Sequence, residues 1–194
     1  EMKADNPYIH PTLAALMAKN DLDAVYLHRF NKDAGRRMEN NTRITNRAVI
    51  SLDGNLNEDW SYETYAVYGE TKLEQENFNN LIRKNFAQSI DAVKDSNGNI
   101  VCRDAAARAA GCVPTSVFGN GAVNPAASAW FNTNSRSTST IQQEVVNASV
   151  ANSALFELPA GMVGFAAGTE FRHEQSDSVP DAFAATGATF LNAL

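Results

Sequence analysis

Long hydrophobic runs are missing from this chain. No apolar stretch approaches the roughly 18 residues that a membrane-spanning helix needs, so no helix is expected to cross a bilayer. A β-barrel stays possible, because its strands are half polar. Basic charge is also scarce: 16 Lys and Arg stand against 22 Asp and Glu, a net −6, which argues against nucleic acid as a partner. The opening, Glu1-Met2-Lys3-Ala4-Asp5, is polar and does not read as a signal peptide, so an exported protein would carry its exporting segment elsewhere. The three histidines, His10, His28 and His173, stand far apart. There is no Gly-x-Ser-x-Gly elbow, no Ser-x-x-Lys and no phosphate-cradling Gly-x-x-x-x-Gly-Lys, so catalytic residues are not assigned.

Only two cysteines are present, Cys102 and Cys112. Two thiols without a nearby histidine are too few for a metal site. One pair closing a short loop reads as a local disulfide made in an oxidising compartment, worth roughly 2–3 kcal/mol. Two free thiols are the alternative. His173-Glu174 opens like a zincin motif, but Asp177 stands where the second histidine belongs. Asp95-Ser96-Asn97-Gly98-Asn99 hints at a calcium loop, yet its glycine comes too early and Ala106 replaces the closing Glu. A hairpin turn is the better reading there. No metal and no cofactor follow from any motif.

What the chain does contain is strict alternation. From 163 to 174, Val163, Phe165, Ala167, Thr169 and Phe171 share one face of an extended strand. Gly164, Ala166, Gly168, Glu170, Arg172 and Glu174 share the other. Before the Leu158-Pro159-Ala160-Gly161 turn, Val146, Ala148, Val150, Ala154, Phe156 and Leu158 line up, interrupted by Asn152. Gln143, Asn147, Ser149, Ser153 and Glu157 oppose them. The same pattern runs earlier: Ile44, Ala48, Ile50, Leu52 and Leu56 against Thr45, Arg47, Ser51, Asp53 and Asn55, then a polar turn at 57–59 and a strand from Trp60. These runs exceed the roughly 5–6 residues of an ordinary strand and suit the ~9–11 that cross a bilayer at a tilt.

Two long hairpins are therefore expected, at 44–76 and 140–176, with a partial loop at 177–194. Pro11 to Lys19 reads as a short helix begun by proline. Between the hairpins lies a long loop, 77–139, with helical spacing at Phe78, Leu81, Ile82, Phe86, Ile90 and Val93 and a Ser/Thr-rich run at 132–140. Tight turns at one end and a very long loop at the other are the asymmetry of outer-membrane barrels. The lumen-facing charges Arg47, Glu63, Glu170, Arg172 and Glu174 are candidates to line a substrate path; the plainer reading is that they hydrate that face and pair with each other.

Several stretches carry a family resemblance: Asn6-Pro7-Tyr8, Arg47-Ala48-Val49, Trp60-Ser61-Tyr62-Glu63, Cys102-Arg103-Asp104, Gly111-Cys112-Val113-Pro114 and, most specifically, 158–172. Together they closely resemble the barrel region of TonB-dependent outer-membrane receptors. The resemblance implies a portion of a transmembrane β-barrel of about 22 strands, without the plug domain. It also implies a parent protein of the bacterial outer membrane that imports a small-molecule nutrient of the siderophore, cobalamin or carbohydrate class. Its partners would be outer-membrane lipid and, through the missing plug, an inner-membrane energy-coupling complex.

A free-standing piece would expose its edges and apolar wall, which invites self-association. The fold expected in that case is α+β, with the helix at 78–93 packed on the sheet. The competing functional reading is then a soluble stand-alone enzyme, hydrolase-like, or a binding domain, in which the apolar residues are covered by the chain or by a partner.

Overall fold

The computed structural model describes residues 1–191. About half of the chain is strand (51%) against 17% helix, and the pairing is antiparallel, so the fold is mainly β. Four long strands form one sheet: β3 (Met38–Asn55), β4 (Trp60–Leu81), β7 (Asn132–Leu158) and β8 (Gly161–Val179), in the order β3-β4-β7-β8. Two small hairpins complete the strands: β1 (Met2–Lys3) with β2 (Ala24–Val25), and β5 (Ala92–Lys94) with β6 (Ile100–Cys102). The helices are α1 (Pro11–Lys19), α2 (Arg83–Ile90), α3 (Ala105–Ala109), α4 (Pro125–Phe131) and α5 (Ala182–Ala185).

Both expected hairpins form, and each is longer than its apolar alternation. The strands of the first run over 38–55 and 60–81 rather than stopping within 44–76. Those of the second run over 132–158 and 161–179 rather than within 140–176. The Ser/Thr run at 132–140 is strand, not loop, because Thr133, Thr138 and Thr140 are β-branched residues that suit a pleated surface whether or not they are buried. The first tight turn is organised by Asn57, whose Oδ1 accepts the backbone N–H groups of Asp59 and Trp60, both at 2.9 Å. The second closes with Leu158 paired to Gly161, and the glycine takes a φ of +130° that side-chain-bearing residues avoid.

The sheet is open. Its order leaves β3 and β8 as edges, so the described residues form part of a sheet and not a closed barrel. The helix expected at 78–93 is shortened from both sides. Strand β4 continues through Leu81, and Val93 belongs to β5, leaving eight helical residues. Phe78 and Leu81 therefore sit on strand, their helical spacing overridden by pairing: Leu81 accepts the Phe190 N–H at 2.7 Å, and Ile82 bridges Thr189.

The chain divides into two compact units. One holds 41–75 and 137–179, and is the body of the four-stranded sheet. The other gathers 1–40, 76–136 and 180–194, of which 192–194, the end of the expected partial loop, lie outside the described residues. The loop expected at 77–139 is thus largely folded structure with a core. Phe131, Ala127, Val123 and Ala34 are buried, with Leu81, Phe86, Val113 and Trp130 packed around them. Phe86 meets Phe131 edge-on, ring centroids 5.2 Å apart. A second cluster joins Met2, Ile9 and Met17. Cys102 and Cys112 form the disulfide, with Cα atoms 6.3 Å apart, beside Ala107 and Trp130. Asp95 closes the β5–β6 turn, its Oδ1 accepting the N–H groups of Asn97 and Asn99, and Gly98 supplies a φ of +82°. That stretch is the hairpin turn its sequence suggested.

The expectation of a helix laid over the apolar wall is not met. Helix α2 spends its apolar side on Phe131 within its own unit, and the wall is left exposed: Ile50 is 69% accessible, Leu52 64%, Phe171 65%.

Candidate functional site: the two faces of the sheet

The β7–β8 register puts the two alternating patterns in phase. Val146 pairs with Phe171, Ala148 with Thr169, Val150 with Ala167, Asn152 with Phe165 and, beyond an irregularity, Phe156 with Val163. Directly paired residues project from the same face, so all of these form one wall. The wall extends across the other strands. The Trp60 ring meets the Phe165 ring edge-on at 6.4 Å, which puts Trp60, Tyr62, Ala66 and Tyr68 of β4 on that side. A Cβ added to Gly54 would touch the Tyr62 ring at 3.1 Å, which brings in Ile44, Ala48, Ile50 and Leu52 of β3.

No charged side chain stands on this face over Ile44–Gly54, Trp60–Tyr68, Val146–Phe156 or Val163–Phe171. Just beyond, charge appears on the same face at Glu70 and Lys72 of β4, Glu144 of β7 and His173 of β8. The boundary is therefore sharp on three strands. On the fourth, Thr42 and Asn40 are the polar continuation.

The opposite face carries the candidate residues. Glu170, Arg172 and Glu174 form a ladder along β8: Arg172 Nη2 lies 3.1 Å from Glu170 and Nη1 3.6 Å from Glu174. Gln143 of β7, paired with Glu174, donates to its Oε1 at 2.7 Å. These charges are half exposed and partner each other, so their mutual attraction contributes on the order of 0.2–1 kcal/mol. A Cβ on Gly168 would sit 3.2 Å from the Ser149 Cβ, so a small residue keeps β7 and β8 close beside this ladder. Arg47 on β3 and Glu63 on β4 are exposed on the same side by alternation. The structure does not bring them into the ladder; Glu63 is held only through its carbonyl, which accepts from Ser149 Oγ at 3.4 Å. Further along this face is an open hollow of about 490 Å³ lined by Arg43, Thr45, Thr71, Leu73, Ser139 and Ile141.

The second unit holds charged groups that alternation does not flag. Arg29 Nη2 donates to both oxygens of Asp33 at 2.7 and 2.8 Å and to the Gly119 carbonyl at 2.8 Å. The guanidinium bond holds the Asp33 carboxyl down at about 2, against an opposing push from burial. Arg103 clamps two acids, Asp91 at 2.8 Å through Nε and Asp5 at 2.9 Å through Nη1, and this lowers the Asp5 pKa. The only local sign of the first pair is the Arg29/Asp33 spacing, which is ordinary on a helix and here lies on an irregular segment. Arg103 is the residue after the first cysteine of the disulfide, but its partners are distant in sequence.

Among the described residues, no group of three His, Cys, Asp or Glu side chains is placed to hold a metal ion. His10 and His28 are both exposed, and His10 Nδ1 accepts the Thr12 N–H as the cap of α1. No protein family matches the chain, and neither does any curated protein or solved structure.

Proposed function

We propose that this chain is an internal portion of the barrel of a TonB-dependent receptor, which carries a small-molecule nutrient across a bacterial outer membrane. One observation carries the reading: an exposed apolar face, four strands wide and free of charge along each strand for about the length that spans a bilayer, backed by a face that holds the charges. Trp60, Tyr62 and Phe165 sit toward the tight turns and Tyr68 and Phe171 toward the other end, as the interfacial aromatics of such barrels do. Lipid would cover the wall. The edges β3 and β8 would pair with further strands, which also removes the aggregation hazard of open edges. The Glu170–Arg172–Glu174 ladder, with Arg47 and Glu63, would face the lumen. The disulfide suits the oxidising side of the inner membrane, and energy would come from an inner-membrane complex acting through a plug domain.

The wall decides between this reading and a soluble enzyme or binding domain, because a water-soluble sheet buries one face. Spin labels on single cysteines at Val163, Phe165 and Ala167, and at Gly164, Ala166 and Gly168, test it in the full protein reconstituted in phospholipid bilayers. The first set should collide with oxygen in lipid and the second with a water-soluble relaxant. Equal access of the aqueous relaxant to both sets would sink the proposal.

A further inference from the structure

The second unit contains a cavity of about 110 Å³ lined by Met2, Leu27, Arg29, Asn31, Phe86, Ile90 and Val117, with Glu1 at its wall. Two polar atoms of its lining residues are buried without a hydrogen-bond partner among the described residues: Arg29 Nη1, a donor, and Asn31 Oδ1, an acceptor. Native proteins rarely leave such atoms unpaired, and here two of opposite sense belong to residues of one cavity. We propose that this cavity binds a small neutral molecule presenting an amide. The amide carbonyl accepts from Arg29 Nη1, the amide N–H donates to Asn31 Oδ1, and a short apolar body lies against Met2, Leu27, Phe86, Ile90 and Val117. A small rotation of the Arg29 and Asn31 side chains brings both atoms to the incoming group.

Charge selects the neutral ligand. The Arg29 guanidinium is already matched by Asp33, and Glu1 adds a further negative group, so no net positive charge is left to hold a carboxylate. Size sets the rest: a cavity of ~150 Å³ admits benzene, so this one takes a group of only a few heavy atoms. The inference is independent of the membrane reading and stands whatever covers the sheet.

Isobutyramide and isobutyrate are the probes, titrated into the purified full protein and followed by ligand-observed NMR. Isobutyramide should bind saturably, with a dissociation constant on the order of millimolar, and isobutyrate roughly tenfold more weakly. Asn31→Leu should weaken isobutyramide on the order of tenfold, by removing its acceptor. Leu27→Trp, a half-exposed rim position that leaves Arg29 and Asp33 in place, should block the cavity while the circular dichroism spectrum stays unchanged. No saturable isobutyramide binding, equal or tighter binding of isobutyrate, or affinity unmoved by both folded variants would each overturn the proposal.

Discussion

Aromatic residues occupy opposite environments in the two units of this chain. Phe131 in the second unit is fully buried, ringed by Leu81, Phe86, Val113 and Trp130. Phe165 and Phe171 in the sheet unit are 45% and 65% accessible, with Ile50, Leu52 and Phe156 exposed around them. One unit brings its own apolar phase, built from short helices, a small hairpin and a disulfide. The other presents an apolar face and relies on something outside the chain to cover it. The lesson is that apolar composition alone does not report a core: the same residue type at similar density is inside when the chain doubles back and outside when two-residue alternation runs on through long strands.

The largest effect should come from removing the anchor of the self-contained core. Phe131→Ala should destabilise the second unit by about 3–5 kcal/mol in denaturant unfolding, while Phe171→Ala should cost far less in water. Equal costs would erase the contrast between the units. Next is charge on the wall. Ala167→Arg should lower the stability of the bilayer-inserted protein by about 2–4 kcal/mol, and Ser149→Arg, on the opposite face, should be close to neutral. Equal costs would mean that neither face meets lipid.

A medium effect is expected from acid, and only in the second unit. Because the Asp33 pKa is depressed to about 2, its pairing with Arg29 is fully present above the unfolded carboxylate value near 4. It is lost as pH falls from about 4 through 2. Asp33→Asn should cost roughly 1.5–3 kcal/mol at neutral pH and flatten the stability profile in that window. The smallest effect is on the lumen-type face: Arg172→Ala should change stability by under ~1 kcal/mol, since Glu170 and Glu174 stay hydrated when their partner is removed. A larger loss would show that the ladder is screened from water.

Legibility followed the same division. Strand, turn and face were readable around 143–174 because the period of two is local: each residue's side is set by its neighbours, and Pro159 to Gly161 marks the reversal. The disulfide was readable because two cysteines permit a single pairing. The helix at 78–93 was over-read, since apolar spacing over Phe78, Leu81 and Ile82 fits a helix until strand pairing claims the first two. The Arg29–Asp33 pair and the Asp5–Arg103–Asp91 clamp were not readable, because their energetic value comes from burial and from segments far apart in sequence.

The sequence by itself determined that long antiparallel hairpins would form with one apolar and one polar face, because alternation acts over neighbouring residues. Tertiary structure alone decided that β4 and β7 sit side by side at the centre of an open four-stranded sheet and that the long connection folds around Phe131. It also decided that helix α2 is spent on that core rather than on the wall. Those outcomes depend on contacts between distant segments, where burying an aromatic ring outweighs local helical preference.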